Sequence, residues 1–198
     1  MKTVFIIGGM GSGKSTVTKL FAEFGAPTID LDVIGHEILT FDDTKHALEE
    51  AFGADIFDGE GNVVRGALAT KAFASDEATA QLNSISMTRI VRQLDALLRE
   101  FAADGASIVA VEVSAYDGPN GWFANVADAV VAVVAPEEKR IARAVAKGFD
   151  EADVRRRLAQ QATDTERRAW ADYVIENDSD FDALRDRAMQ VWKKLSVR

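Results

Sequence analysis

Gly8, Gly9, Gly11 and Gly13 fall within six residues and run directly into Lys14, Ser15 and Thr16. Gly8 and Gly13 with Lys14 and Ser15 have the spacing of a phosphate-binding loop, Gly-x-x-x-x-Gly-Lys-Ser/Thr. The chemistry calls for these residue types. Successive backbone N–H groups must turn inward around phosphate oxygens, and side chains would obstruct that approach. The helix that follows aims its free N–H groups and partial positive charge at the same anion. Lys14 can reach the β- and γ-phosphates, and the Ser15 hydroxyl can ligate Mg²⁺. Gly9, Gly11, Ser12, Gly13, Lys14, Ser15 and Thr16 are thus the candidate nucleotide-binding residues. The competing reading, a glycine-rich turn with a stray lysine, lacks the strand before and the helix after.

Two further groups of residues could do chemistry. Asp30-Leu31-Asp32 follows a short apolar run. In such a place one aspartate could accept a proton from a hydroxyl while the other orients metal-bound water. The alternative is that Asp32 caps the next helix. Later in the chain Arg140, Arg143 and Lys147 are spaced i, i+3, i+7, one face of a helix, and Arg155, Arg156 and Arg157 follow. These cations could form a lid that brings positive charge onto a transferring phosphoryl group. They could equally be a solvated face paired with Glu137, Glu138, Glu151 and Asp153. Arg65, after the turn cluster Asp58-Gly59-Glu60-Gly61-Asn62, could hold an anionic group or simply face solvent.

The elements that position these residues read as an α/β fold. Thr3–Ile7 is a strand, and Lys14–Phe24 a helix with Val17, Leu20, Phe21 and Phe24 on one stripe and Gly25 as its C-terminal cap. Residues 27–30 are a second strand. Residues 33–104 read as helical, including a long helix that Asp76 can cap. Ser107–Val113 and Asp128–Ala135 are apolar runs suited to central parallel strands. The loop 114–125 between them carries Tyr116 and Trp122. Pro136 opens the basic helix, Asp150 caps the next, and Thr163-x-x-Glu166 is a capping box. Tyr173–Asn177 is a fifth strand. Leu184, Ala188, Val191, Trp192 and Leu195 mark a last helix, with Trp192 in the core.

The expectation is a three-layer P-loop fold in a single domain, with a five-stranded parallel sheet. Its core is about 1–32, 105–136 and 162–198, its helical substrate insertion about 33–104, and its lid about 137–161. With 198 residues the chain can bury one sizeable core. A net charge of −9 argues against a general nucleic-acid or membrane-surface binder. The absence of cysteine removes disulfides and thiolate sites. No apolar run approaches the roughly 18 residues of a membrane span, and a cytoplasmic location is expected.

Loop, carboxylate, insertion and basic helix pair together suggest a small-molecule kinase, in which a lid excludes water and limits ATP hydrolysis. The sequence resembles the dephospho-coenzyme A kinase family over nearly its whole length. The resemblance is carried by Gly-Gly-x-Gly-Ser-Gly-Lys-Ser-Thr (8–16), by Ile29-Asp30-Leu31-Asp32 with Ile34 and His36, and by Phe52-Gly53. Arg65 ahead of Leu68, Leu82-Asn83, Arg143, Arg157 ahead of Gln161, and Ala171-Asp172-x-Val174-Ile175-x-Asn177 carry the rest. It implies ATP and Mg²⁺ as cofactors and dephospho-CoA as substrate, with Asp32 as the base for the ribose 3′-hydroxyl. Lys14, Arg143 and Lys147 would be the catalytic cations, His36 and Arg65 substrate contacts, and Asn177 a neighbour of the adenine. A monomer or weak homo-oligomer is expected. The sequence departs from the family pattern at Met87-Thr88, where His-Pro is usual, and at Ser114–Asp117 after the third strand. At Lys147, where the family usually has arginine, a point charge replaces the bidentate fork. Lacking that proline, the helix from Asp76 is expected to run unbroken. The alternatives are a kinase of another nucleotide or small hydroxyl compound, and a nucleotide-binding sensor without transfer activity.

Overall fold

Three of the apolar runs become the buried middle of a parallel sheet. The computed structural model describes residues 1–123 and 125–197; Ala124, within the expected 114–125 loop, and Arg198, within the expected core, lie outside them. The strands are β1 (Lys2–Ile7), β2 (Thr28–Asp30), β3 (Ile108–Val113), β4 (Ala129–Val134) and β5 (Tyr173–Glu176). They lie in the order β2-β3-β1-β4-β5, every neighbouring pair parallel. Both faces of β3 and β4 are buried along their whole length, which is why those segments are apolar and not alternating, Glu112 of β3 excepted. The chain leaves β1 and returns on one side as β3 and on the other as β4, so the loop after β1 sits where the strand order reverses. That crevice, at the carboxyl ends of the strands, is where open α/β sheets bind ligands.

The helices are α1 (Lys14–Glu23), α2 (Leu31–Glu37), α3 (Asp42–Phe52), α4 (Arg65–Ala72), α5 (Asp76–Ala103), α6 (Glu137–Val145), α7 (Glu151–Gln160), α8 (Asp164–Trp170) and α9 (Phe181–Ser196). The chain divides into two units, Met1–Asp30 with Leu98–Arg198, and Leu31–Leu97. In the first unit, one face of the sheet (Val4, Ile6, Ala110, Val131, Val133, Ile175) packs with Val17, Leu20 and Phe21 of α1 and Leu184, Ala188, Val191 and Leu195 of α9. Trp192 closes this layer, its ring 5.5 Å from that of Phe21. On the other face Phe5 meets Tyr116 and Phe123 edge-on, and Tyr116 meets Trp170. Tyr116 thus packs partly buried on the rings of Phe5 and Trp170, and burial with Asp117 and Asp172 nearby raises its pKa.

The second unit has its own core of Leu48, Phe52, Ile56, Leu68 and Ala72, flanked by Leu82 and Ile85. The turn at 58–62 is closed by the Asp58 carboxylate, which accepts from the N–H groups of Glu60 and Asn62. Helix α5 runs for 28 residues without a break at Met87-Thr88, as the missing proline predicts. Two caps differ from expectation. Ser75, not Asp76, caps α5, its hydroxyl accepting from the Ala78 N–H, because the helix already includes Asp76. Pro136 is the N-cap of α6 and not its first helical residue. Asp150, the Thr163/Glu166 capping box and Gly25 stand as expected.

Candidate active site

The glycine loop connects β1 to α1 as a tight cradle. Gly13 has φ 102°, a left-handed conformation that side chains rarely adopt. At Gly11 the φ of 74° is joined by close approach, because a Cβ there would land on the Arg140 carbonyl, so glycine is required at that position. Lys14 is buried at the first position of α1. The Ser15 hydroxyl is exposed and donates to Glu112 Oε1 at 2.7 Å. Because the proton is committed to Glu112, the serine lone pairs remain available to a hard cation, and the carboxylate adds charge just behind it. Glu112 is 7% exposed, on β3 beside Ile6 of β1. A buried carboxylate that accepts from the hydroxyl of a residue lining the loop cleft fits a divalent ion of the Mg²⁺ type held by that hydroxyl. Among the described residues no three His, Cys, Asp or Glu side chains gather into a metal cage.

Sequence reasoning read β3 as a near-continuous apolar run and gave Glu112 within it no role. The signal was present: one charged residue near the carboxyl end of a central strand, where nothing apolar requires it.

Gly9, Gly11, Gly13, Lys14, Ser15, Thr16, Arg143, Lys147 and Asn177 come together along one cleft of about 460 Å³, with Phe181 and Leu184 on its apolar side. Arg143 is fixed by three hydrogen bonds, donating to the carbonyls of Gly11 (3.3 Å) and Asn177 (3.0 Å) and to Asn177 Oδ1 (3.1 Å). Asn177 Nδ2 in turn donates to the Ser12 carbonyl at 2.7 Å. Asn177 thus clips the loop to α6, both ends of its amide engaged within the protein. The Ser12 side chain lies under the loop, fully buried, and its Oγ has no hydrogen-bond partner.

The basic helices divide between the two readings left open by their spacing. Arg140 is 6% exposed and donates from Nε to the Met10 carbonyl at 3.0 Å. It shares Asp164 Oδ1 with the equally buried Arg167. Burial and the adjacent Arg140 pull the Arg167 pKa below its ordinary value. Gln161 Oε1 accepts from the Met10 N–H, and the Met10 side chain packs on Ile141, Ala144, Val154 and Leu158. Met10 is thus held by α6, α7 and the residue after α7. Lys147 does not share a helical face with Arg140 and Arg143, because α6 ends at Val145 and Lys147 stands in the exposed turn beyond it. On α7, Arg155 pairs with Glu138 and Glu151, and Arg156 and Arg157 with Asp153, all at the surface. Those three are the solvated face.

In the second unit Asp32 is exposed in the first turn of α2, and His36 is exposed in its last. Asp32 is two residues beyond β2 in the chain and inside the helix, not at its cap. Arg65 is the exposed first residue of α4.

A glycine loop between a central parallel strand and a helix, with a buried lysine and an exposed serine hydroxyl at the head of that helix, defines a P-loop kinase. The family model of the dephospho-CoA kinases matches residues 2–183. A dephospho-CoA kinase of Corynebacterium diphtheriae is 36% identical over 203 residues, covering 100% of this chain and 99% of that protein. Among solved structures, a Thermus thermophilus protein superposes with a TM-score of 0.86 at 27% identity, covering 100% of this chain and 98% of the other. A dephospho-CoA kinase from Campylobacter jejuni shares the fold with a TM-score of 0.65 at 22% identity, over 98% and 97% of the two chains. The chain belongs to the dephospho-CoA kinase family, the enzymes that use ATP to phosphorylate dephospho-CoA to coenzyme A. Among the described residues, no helix is long and apolar enough to cross a membrane.

Proposed function

We propose that this chain transfers the γ-phosphoryl group of ATP to the ribose 3′-hydroxyl of dephospho-CoA with Mg²⁺ as the metal. The observation that carries this reading is the Ser15–Glu112 pair beside Lys14 at the head of α1. Loop N–H groups and Lys14 hold the β- and γ-phosphates, and Ser15 with Glu112 behind it holds the metal. Bound there, Mg²⁺ neutralises charge on the phosphate oxygens. Arg143 and Lys147 supply further positive charge along the cleft, Arg143 as a fixed fork and Lys147 as a movable point charge. Asp32 takes the proton of the attacking hydroxyl, and His36 and Arg65 hold the acceptor. Residues 33–104 serve as the acceptor-binding insertion and 137–161 as the lid on a core of 1–32, 105–136 and 162–198. The enzyme works in the cytoplasm as a monomer or weak homo-oligomer, without nucleic acid or membrane as partner.

The test is ADP formation from ATP and Mg²⁺ with and without dephospho-CoA, in wild type, Lys14→Ala and Asp32→Asn. Acceptor-dependent turnover should vanish in both variants, while Asp32→Asn should keep ATP affinity near the wild-type value. Loss of ATP binding in Asp32→Asn would remove Asp32 from the role of base. Turnover that ignores dephospho-CoA would overturn the acceptor assignment.

A further inference from the structure

The apolar stripe of α9 does not stop where the core stops. Leu184, Ala188, Val191 and Leu195 are 0–6% exposed against the sheet. Phe181 stands one turn before Leu184 on the same stripe, at i and i+3, yet is 52% exposed. Its ring lines the nucleotide cleft together with Gly13, Lys14, Thr16 and Lys147, with Leu184 below. The ring's base is fixed, because Asp180 caps the helix by accepting from the Ala183 N–H at 2.9 Å. Of the polar side chains that line the cleft, the Asn177 amide is engaged by Ser12 and Arg143, and the Asp180 carboxylate accepts from the Ala183 N–H. The cleft also offers a heterocycle two flat groups, the fixed guanidinium of Arg143 and the half-exposed ring of Phe181. Flat π-systems are what such faces take from water.

We propose that Phe181 is the stacking surface for the purine base of ATP, a binding residue that holds the base while the loop holds the phosphates. The inference rests on the reading of this cleft as the nucleotide site, and it assigns the division of labour within it. A base-stacking aromatic contributes to binding of a nucleotide but not to binding of a bare polyphosphate.

The experiment is calorimetric titration of ATP and of inorganic tripolyphosphate into wild type, Phe181→Ala, Phe181→Trp and Lys14→Ala, each checked for an unchanged melting temperature. Phe181→Ala should weaken ATP about 10-fold or more and change tripolyphosphate affinity less than about twofold, and Phe181→Trp should restore ATP binding. Equal losses for both ligands would mean the ring only supports the loop, and no loss for either would mean the base lies elsewhere. Both results overturn the stacking role. Lys14→Ala should weaken tripolyphosphate sharply. If it does not, the cleft reading itself fails, whatever Phe181→Ala shows.

Discussion

At the scale of single residues, Glu112 and Ser12 illustrate opposite ways of being buried. Glu112 is a nearly enclosed carboxylate with a defined partner in Ser15. Glu112→Gln keeps an oxygen to accept the serine proton and removes the charge behind it. Outer-shell changes of this sort cost about 10–100-fold in metal affinity or activity. We expect the Mg²⁺ concentration for half-maximal turnover to rise by about that factor, with the melting temperature nearly unchanged. An unaltered Mg²⁺ titration would detach Glu112 from the metal. Ser12 carries a hydroxyl that is buried with no partner, a situation that costs about 1–3 kcal/mol. Ser12→Ala should therefore leave thermal stability equal or higher, and its effect on ATP affinity should be much smaller than that of Ser15→Ala. A drop in melting temperature would show that the hydroxyl is satisfied in solution.

At the scale of elements, the loop's conformation is held from outside. Arg140 on α6 binds the Met10 carbonyl, Gln161 after α7 binds its N–H, and its side chain sits among α6 and α7 residues. Gln161→Ala removes one hydrogen bond, about 1 kcal/mol, and should raise the KM for ATP severalfold by letting the cradle relax. Because Arg140 and Gln161 act on one residue, their effects should not add: Arg140→Met combined with Gln161→Ala should show a coupling above about 0.5 kcal/mol in a double-mutant cycle. Strict additivity would mean that they fix independent parts of the loop. The exposed pairs of α7 belong to a weaker, solvent-screened class, and Arg156→Ala should hardly register in the melting temperature. Helix α8 carries a pH signature. The Thr163 backbone N–H and hydroxyl hold the Glu166 carboxyl below its ordinary 4.5. A depressed carboxylate adds stability that is complete above the unfolded pKa and lost as pH falls through the lower folded value. Glu166→Gln should therefore flatten the acid limb of a melting-temperature profile below about pH 4.5 and leave the alkaline limb alone.

At the scale of the whole molecule, each unit has its own apolar core. Leu48, fully buried in the second unit, should cost about 2–5 kcal/mol when truncated to alanine. Amide exchange should then speed up in α3 and α4 while β1, β3 and β4 keep their protection; a uniform loss would mean that both cores unfold together. Much of this architecture was legible in the chain. Helices α1 and α9 follow from their apolar stripes, β3 and β4 from nearly unbroken apolar runs, and the cradle from four glycines before Lys14, because period and local sterics are written in neighbouring residues. The unbroken α5 likewise follows from a proline that is not there. The ends of elements were less legible: Ser75 displaced Asp76 as a cap, and α6 stopped before Lys147, since one added or lost helical turn changes few contacts. What the sequence by itself determined is the phosphate chemistry and the sheet that carries it. Only the tertiary structure decided that Glu112 stands behind Ser15, that Arg140 is a buried clamp while the α7 arginines are solvated, and that Phe181 faces the cleft uncovered. The reason is physical: a charge or a ring has the same spacing in the chain whether it meets water, a carboxylate or a ligand, and burial between distant segments makes the choice.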